Sequence, residues 1–375
     1  MALEPPLQGS GALLPKAFAC TLGPSSLNER VLAELESAGA ALFRINMSHT
    51  DVEKLGPILR YVRAHSKVPI SIDTEGARMR TGQMTEGVAV LEGDIVRLVS
   101  AAFWGDAYLI PIIPGNAIEQ LVPGARVSID FDAAVLRVDA LSDVGAEATV
   151  LVGGEIGTRK AVTALPSPTL PTFSEKDRVA ARIAAEGGVR EFALSFCEDA
   201  SSVRELRSIT GDDATIVAKI ESREGVRNLD AILQEADKIL IDRGDLSREV
   251  RMEGVPMLQK EIIRRANASG VPVHVATNFL ESMVTHRVPT RAEVNDAMNT
   301  LLDGADGLVL SAETAAGGWP GESARVMASL IREFERSRGV GERPLEELLG
   351  DHPLAESHGT KTLVGGSPAP VDVIG

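Results

Sequence analysis

Two segments delimit the stretch that decides the fold: Thr-Ile-Val-Ala-Lys-Ile-Glu, residues 215–221, and Lys-Ile-Leu-Ile-Asp-Arg-Gly-Asp-Leu-Ser, residues 238–247. Each contains a short run rich in β-branched residues, Ile216–Ile220 in the first and Ile239–Ile241 in the second. Between the two runs, apolar residues recur at the spacing of an amphipathic helix. A strand, a helix and a second strand in this order predict a parallel βαβ unit.

A carboxylate follows each of the two predicted strands. Glu221 comes directly after the first strand, and Asp245 lies just past the second. Lys219 shares a face with Glu221, because side chains two positions apart on a strand point the same way. Charges at the end of a buried parallel strand are costly unless a ligand or a metal ion uses them. We therefore predict that this stretch is the catalytic centre.

The composition limits the classes of function. The chain has 375 residues, 44% of them hydrophobic and 24% charged, which is enough for a large core and more than one domain. The net charge of −15 argues against nucleic-acid partners and against an anionic membrane surface. Cys20 and Cys197 form no disulfide framework, and no stretch resembles a targeting signal or a membrane span. We therefore expect a soluble cytoplasmic protein.

The rest of the chain repeats the alternation of strand and helix. Three strands before residue 83 and five after residue 168 give eight βα units, which predicts a (β/α)₈ TIM barrel of the α/β class. The intervening residues show short alternating stretches broken by Gly, Pro and Asp, typical of a small all-β domain inserted as a lid. The predicted organisation is a loose N-terminal arm (1–14), the barrel (15–82 and 169–337), the lid (83–168) and a C-terminal tail (338–375).

Polar residues gather after the predicted barrel strands. The active site of such a barrel lies at the carboxyl ends of the strands, so these residues are expected to meet at one rim. Six of the eight strands end in this way, which favours a functional site over unrelated surface charges. The residues are Arg44, Asn46, Ser48 and His49 after the second strand; Asp73, Thr74, Arg78 and Arg80 after the third; Lys219 and Glu221 at the fifth; Gly244 and Asp245 after the sixth; Thr277 after the seventh; and Glu313 after the eighth.

Several motifs are specific in their order and spacing. They include Arg44-Ile-Asn-Met-Ser-His, Asp73-Thr, Lys219-Ile-Glu, Arg243-Gly-Asp-Leu and Ala276-Thr. With these motifs, the chain resembles the pyruvate kinase family over residues 15 to 337. The resemblance implies a TIM barrel with a mobile lid domain and phosphoryl transfer between phosphoenolpyruvate and ADP. We expect the protein to lack the family's separate C-terminal α/β domain, with its sugar-phosphate site and one subunit interface. We therefore expect a homodimer or monomer that fructose 1,6-bisphosphate does not activate.

The residues of these motifs supply the groups that phosphoryl transfer needs. Transfer to or from an enolate develops negative charge on the phosphoryl and enolate oxygens, so catalysis consists of positioning and of cations in a dry site. Glu221 and Asp245 are hard oxygen ligands that suit one Mg²⁺ or Mn²⁺ ion, although Asp245 could instead cap a short helix. Lys219 would stabilise the developing charge as a point cation. Arg44 and Arg80 would hold the phosphoryl group from two neighbouring strands.

Further roles follow from the resemblance. Thr277 would lie at the far face of the enolate, near the carbon that is protonated, and would act through a water relay. Gly244 and Asp245 belong to a turn whose backbone N–H groups can bind the substrate carboxylate. His49 would contact the nucleotide, and Lys160 would reach the nucleotide phosphates from the lid. The residues that match the family's monovalent-cation ligands are Asn46, Ser48, Asp73 and Thr74.

The chain departs from the family's pattern at the rim of the site. After Asp-Thr the family has Lys-Gly-Pro-Glu, whereas this chain has Glu75-Gly-Ala-Arg78, with both charges reversed. Oriented by Glu75, Arg78 would put a fixed positive charge near the potassium site and make K⁺ dispensable; alternatively, the two residues simply pair at the surface. Glu198 replaces an arginine of the family, and Asp242 replaces a small alanine. The groups that handle metal and enolate are intact, while the nucleotide side has changed.

Three functions are compatible with these residues. The first is a pyruvate kinase-like phosphotransferase that uses a divalent metal, phosphoenolpyruvate or the pyruvate enolate, and either ADP/ATP or an altered acceptor. The second is a metal-dependent lyase or aldolase-type enzyme that holds a pyruvate enolate on the same barrel. The third, a regulatory pseudo-kinase, is disfavoured because Lys219, Glu221, Asp245 and Thr277 are all retained. We favour the phosphotransferase, and the physiological acceptor stays open.

Overall fold

Eight parallel strands form a closed barrel in the computed structural model, which describes residues 16–100, 103–130 and 132–338. Numbered along the chain, they are β1 (Ala17–Leu22), β2 (Leu42–Asn46), β3 (Ile70–Asp73), β13 (Glu191–Leu194), β14 (Thr215–Ile220), β15 (Lys238–Asp242), β16 (Val273–Ala276) and β17 (Gly307–Leu310). Each strand pairs with the next in this order, and β17 closes the barrel against β1. The predicted (β/α)₈ barrel is therefore confirmed.

Helices surround the barrel, and several of them begin at a side-chain cap. For example, the Ser174 hydroxyl accepts from the backbone N–H of Asp177, whose carboxylate accepts from the backbone N–H of Ser174 in return. The single amphipathic helix predicted between β14 and β15 is instead broken into two at Asn228, and the Arg-Gly-Asp turn opens a helix of its own. The helices are α1 (Glu29–Ala38), α2 (Val52–His65), α3 (Glu175–Glu186), α4 (Ala200–Thr210), α5 (Arg223–Arg227), α6 (Leu229–Leu233), α7 (Arg243–Glu249), α8 (Val255–Ala268), α9 (Arg291–Leu302), α10 (Ala312–Ala315) and α11 (Pro320–Arg338), with 3₁₀ helices at Gly115–Gln120, Met252–Gly254 and Glu281–Val284.

Two apolar regions hold the barrel together. Side chains that point outward from the strands, such as Phe43, Phe192 and Ile216, pack against the helices in one continuous core. A smaller cluster lies inside the barrel, and we call it the barrel floor. Because side chains alternate along a strand, the floor fixes which residues beyond it also point inward. Its members, from six strands, are Ala19, Ala193, Val217, Leu240, Ala276 and Val309.

A second sheet lies between β3 and β13 in the sequence and has its own apolar cluster, which includes Ile110, Val127 and Leu136. We call this seven-stranded sheet, in the order β12-β8-β9-β10-β6-β7-β4, the lid sheet. It contains Arg80 and Thr81, which pair with β7, so these residues are not part of the barrel segment to which the sequence assigns them. The strands of this region are β4 (Arg80–Thr81), β5 (Ala89–Val90), β6 (Ile95–Ser100), β7 (Leu109–Ile113), β8 (Arg126–Ile129), β9 (Ala134–Ser142), β10 (Gly145–Val152), β11 (Gly154–Glu155) and β12 (Val162–Leu165), with β11 and β5 paired separately.

The described part of the chain ends with α11. The predicted arm, residues 1–14, and residues 339–375 of the predicted tail lie outside the described residues. None of the described helices is both long and apolar enough to cross a membrane.

A histidine below the barrel floor predicts a pH-dependent stability. His274 precedes Ala276 by two positions on β16, and its ring packs against Gly307, where an added Cβ would lie 2.8 Å from the ring. Burial, reinforced by the charge of Lys238, lowers the pKa of His274 to about 4. The unfolded chain has the higher pKa, near 6.5, and therefore binds more protons in this window, so stability falls as the pH drops from 6.5 towards 4.

We expect this histidine to remove up to about 3 kcal/mol of stability between pH 6.5 and 4. A His274→Gln variant should lose less stability over the same range in urea titrations at each pH. The exposed His286 provides the matched control, since His286→Gln should follow the wild type. Equal acid sensitivity of His274→Gln and the wild type would contradict the assignment.

Candidate active site

A ring of polar side chains lies directly above the barrel floor. On seven strands, the residue two positions beyond an inward-facing side chain is polar, and it points inward because strand side chains alternate. Six of these seven residues are buried, so each of the six needs a partner within the ring. The seven residues, which we call the polar ring, are Thr21, Arg44, Asp73, Ser195, Lys219, Asp242 and Ser311.

Arg44 connects three members of the polar ring on one side of the barrel. Its Nε donates to Thr21 Oγ1 at 2.9 Å, and a terminal nitrogen donates to Ser311 Oγ at 3.2 Å. Another terminal nitrogen lies 3.2 Å from a carboxylate oxygen of Asp73. These contacts hold the guanidinium in place at the carboxyl end of β2, where a fixed cation can meet an anionic ligand.

Lys219 ties the other side together. Its Nζ lies 3.2 Å from carboxylate oxygens of both Asp73 and Glu221, and 3.4 Å from Asp242. It also donates to Ser195 Oγ at 3.1 Å. Burial alone would lower the pKa of Lys219, but the three carboxylates outweigh it and raise the pKa above its ordinary value. Lys219 is therefore a permanent cation at neutral pH.

Three carboxylates converge beside Lys219. Oxygens of Glu221, Asp242 and Asp245 all lie within 4.8 Å of one another. Glu221 Oε1 accepts from the backbone N–H of Phe196 at 2.6 Å, whereas the buried Oε2 accepts no hydrogen bond. Burial, together with the charge of Asp242, raises the pKa of both Glu221 and Asp245. A hard divalent cation such as Mg²⁺ fits this site, because it would add a second cationic partner for Glu221 Oε2, which Lys219 already contacts at 3.2 Å, and would relieve the repulsion among the carboxylates.

Thr277 is held against this cluster in an uncommon backbone conformation. Its φ is 81° and that of Asn278 is 60°, values that cost free energy in a β-branched residue and persist where the surroundings impose them. The Thr277 hydroxyl donates to Asp242 Oδ1 at 2.7 Å, and its carbonyl accepts from Arg243 Nε at 3.2 Å. Gly244 permits the close approach, since a Cβ there would lie 3.0 Å from the Thr277 methyl group.

The four residues expected to bind a monovalent cation fall on adjacent strand ends. Asn46 pairs in register with Asp73, and the backbone N–H of Ser48 donates to Asn46 Oδ1 at 2.8 Å. Thr74 Oγ1 accepts from the backbone N–H of Ser195 at 2.9 Å. Asp73 therefore belongs to the polar ring, Asn46 ends β2, and Ser48 and Thr74 lie on the loops that leave β2 and β3.

Comparisons with known proteins identify the family. The family described as "Pyruvate kinase, barrel domain" matches residues 16–324. The chain is 38% identical over 324 residues to a pyruvate kinase of Methylorubrum extorquens, an alignment that covers 84% of this chain and 68% of the relative. It is 36% identical over 332 residues to a pyruvate kinase of Geobacillus stearothermophilus (85% and 56%) and 36% identical over 369 residues to pyruvate kinase PKLR of Homo sapiens (92% and 64%). The chain belongs to the pyruvate kinase family.

Members of the pyruvate kinase family are phosphotransferases, and pyruvate kinases generally use Mg²⁺ and K⁺. The chain spans between 56% and 68% of the length of the three relatives named above. The metal preference of the family agrees with the three carboxylates beside Lys219, which present the oxygen ligands that Mg²⁺ prefers.

The reversed charges at Glu75 and Arg78 do not pair with each other. Arg78 instead forms an ion pair with Glu198, and its guanidinium lies over the Phe196 ring at 4.2 Å. Glu75 pairs with Lys176 at 2.8 Å and with Arg80 at 3.4 Å. Both the expectation that Glu75 orients Arg78 and the alternative of a surface pair between them are therefore wrong.

Arg80 lies on the lid sheet rather than at the end of a barrel strand. Its expected place at the end of the strand next to Arg44 is therefore wrong, while its role in holding the phosphoryl group stays a prediction. Its charge acts on two site residues: it partly offsets the burial that raises the pKa of Asp245, and it contributes, after burial, to the lowered pKa of His49. Arg80 is therefore close enough to both residues to affect their ionisation.

Among the described residues, two sizeable cavities lie between the barrel loops and the lid sheet, beside a small one of about 40 Å³ that is lined by Arg80 and Asp245. The larger, of about 680 Å³, includes Phe196, Glu198 and Arg248 in its lining. The smaller, of about 400 Å³, is richer in positive charge and is lined by Arg78, Arg80, Arg159 and Lys176 together with Glu75 and Glu175. Lys160 lines neither cavity, because its ammonium pairs with Asp130 Oδ2 at 2.7 Å and is half exposed.

Sequence reasoning missed three residues of the site. Asp242 is noted only as a departure from the pyruvate kinase pattern, Ser195 carries no predicted role, and Arg248 pairs with Asp245 at 3.0 Å. The alternation of side chains along the strand predicts that Asp242 points inward, since it follows Leu240 of the barrel floor by two positions. The two-residue alternation along the strands does not predict a role for Arg248, which lies on α7.

Proposed function

We propose that this protein transfers a phosphoryl group between phosphoenolpyruvate and ADP, or another acceptor, with the help of a divalent metal ion. The observation that carries the proposal is the placement of Lys219 and Arg44 in the polar ring beside the carboxylates of Glu221 and Asp245. Membership of the pyruvate kinase family supports the same reaction.

The residues divide the work of this reaction. When bound by Glu221 and Asp245, Mg²⁺ or Mn²⁺ supplies positive charge to the carboxylate and phosphoryl oxygens of the substrate. Arg44 and Lys219 stabilise the transferring phosphoryl group from the polar ring, where water is largely excluded and charges act strongly. Thr277 orients a proton donor at the far face of the enolate. The backbone N–H groups at Gly244 and Asp245, in the first turn of α7, bind the substrate carboxylate.

The cavity of about 400 Å³ is our candidate for the nucleotide phosphates. Four basic side chains face two acidic ones there, so the lining attracts an anion. Burial, followed by the charge of Arg80, lowers the pKa of His49, so this side chain is neutral at pH 7 and can accept or donate a hydrogen bond without repelling the cations. Lys160 can contact the phosphates only after its ion pair with Asp130 breaks. We expect this contact to form when the lid sheet closes over the barrel.

³¹P NMR of the protein with phosphoenolpyruvate, Mg²⁺ and ADP tests the proposal. We expect the phosphoenolpyruvate signal to decay while ATP signals appear. Omitting ADP and adding candidate acceptors then identifies an altered acceptor. Consumption of phosphoenolpyruvate without a phosphorylated product, or none under any condition, would contradict the proposal. The relatives named above are all pyruvate kinases and give the lyase alternative no support.

A fixed cation at the rim leads us to expect that potassium is dispensable. Arg78 is held in place by Glu198 and by the Phe196 ring, whose own backbone N–H binds Glu221. A permanent guanidinium in this region competes electrostatically with a bound monovalent ion. We therefore expect the phosphotransfer rate in tetramethylammonium buffer to be insensitive to added KCl.

Charge reversal sharpens the potassium test. Arg78→Glu alone would place two carboxylates together, so the matched variant is the double swap Arg78→Glu with Glu198→Arg, which preserves an ion pair. We expect the double variant to require KCl. Strong stimulation of the wild type by KCl, or a double variant that stays potassium-independent, would contradict the expectation.

A further inference from the structure

Asp242 contacts each of the groups around the candidate metal site. Its Oδ1 accepts the Thr277 hydroxyl at 2.7 Å, and its Oδ2 lies 3.4 Å from Lys219 Nζ. Its carboxylate also meets those of Glu221 and Asp245 within 4.8 Å. One oxygen of Asp242 therefore accepts a hydroxyl proton, and the other lies beside the Lys219 ammonium.

Three carboxylates crowd the space beside Lys219. Lys219 is shared among four groups, because it also contacts Asp73 and Ser195. Glu221 Oε2 is buried and accepts no hydrogen bond, and Lys219 Nζ lies 3.2 Å from it as an ion-pair partner. The close approach of three like charges costs free energy that a bound cation would offset. The carboxylate of Asp242 adds to this repulsion, which makes it expensive as a purely structural group.

We propose that Asp242 is a third carboxylate ligand of the divalent metal, together with Glu221 and Asp245. It binds with the oxygen that the Thr277 hydroxyl does not occupy, since each carboxylate oxygen has two lone-pair sites and Lys219 leaves one free. The inference rests on the proposed function, which supplies the metal ion. It adds that one carboxylate joins the metal to Thr277, so the metal helps to fix the residue at the far face of the substrate.

The alternative is that Asp242 is only a counter-ion of Lys219. Asp73 provides the comparison, because it is also a buried carboxylate of the polar ring and lies 3.2 Å from Lys219 Nζ. Among the described residues, however, the converging cluster contains Glu221, Asp242 and Asp245 but not Asp73. The two aspartates thus share burial and a lysine partner and differ in their access to the metal.

Mn²⁺ binding to the full chain, measured without substrate by electron paramagnetic resonance, tests the inference. Asp242→Asn keeps an oxygen for Thr277 but loses the anionic ligand, so we expect at least a tenfold weaker Kd, about the loss typical of disturbed metal shells. The number of Mn²⁺-bound waters, counted by electron–nuclear double resonance in ¹⁷O-water, should rise by one. Asp73→Asn removes the same charge and should leave the water count unchanged and Kd much closer to the wild-type value. Thr277→Val should bind Mn²⁺ as the wild type does.

The outcomes separate the inference from the proposed function. An unchanged water count in Asp242→Asn would overturn the inference, whether or not Kd changes, because Asp242 would then act only through its charge. A wild type that binds no Mn²⁺ would overturn both. Mn²⁺ bound with the third ligand, but without phosphotransfer in the NMR experiment, would leave the inference standing and overturn the proposed function.

Discussion

Replacing Lys219 by methionine is expected to lower the phosphotransfer rate by at least about 10²–10³-fold, the cost of removing one preorganised charge from an active site. The ammonium lies within 3.4 Å of three carboxylates and is buried with them. Methionine has a similar length but leaves these anions uncompensated. Removing one partner of a buried ion pair costs about 3–5 kcal/mol, so the free energy of unfolding should fall as well.

Metal dependence distinguishes a catalytic role of Lys219 from a structural one. We expect Lys219→Met to bind Mn²⁺ at least as tightly as the wild type, because a repelling cation is gone, and to regain thermal stability when Mn²⁺ is added. Lys238→Met is the matched control, since Lys238 lies at the opposite end of the neighbouring strand and pairs with Glu191 at 2.6 Å. A Lys219→Met protein with near-native turnover would contradict the assignment.

Glu221→Gln and Asp245→Asn are each expected to reduce turnover on the order of 10³-fold, because a catalytic metal contributes several kcal/mol of charge stabilisation to the transition state. Glutamine keeps an oxygen for the backbone N–H of Phe196, and the charge lost from Glu221 is one that burial already disfavours. The fold should therefore survive. Asparagine at 245 weakens the contact of this side chain with Arg248 within α7, so an effect on the local structure is expected there.

Steady-state rates at saturating Mg²⁺, together with circular dichroism, check this prediction. Glu224→Gln supplies the control, because Glu224 lies three positions after Glu221 and pairs with Arg227 on the surface. It should change neither rate nor fold, as exposed ion pairs contribute little. If Glu221→Gln or Asp245→Asn kept a near-native rate, the metal site would have to lie elsewhere.

Because side chains alternate along a strand, much of the site could be predicted from the sequence. Lys219 and Glu221 share a face because they stand two positions apart, and the barrel places them at the rim. Arg44 follows from the same rule on β2. These predictions needed only local patterns, in which the spacing of residues fixes the direction of side chains.

Contacts between segments that are distant in the sequence could not be predicted. Nothing in the local sequence links Arg78 to Glu198, which is 120 positions away, so the neighbouring Glu75 looked like the partner. β7 is hard to predict from the local pattern because Pro111 lies inside it and proline is uncommon within a strand. Asp242 was interpreted as a rim substitution because its importance depends on how the ends of β14 and β15 and the start of α7 converge. Charge pairing and the convergence of these elements are properties of tertiary packing.

The offset of two residues between the barrel floor and the polar ring restricts which mutations such a site can accept during evolution. Deleting a single residue within β14 would turn Lys219 outward into the packed helices and bring Ile220 to the centre, because one step along a strand exchanges its faces. Insertions and deletions are therefore confined to the loops. Within the strands, new chemistry can arise only by exchanging one side chain for another in place, and Asp242 illustrates the result.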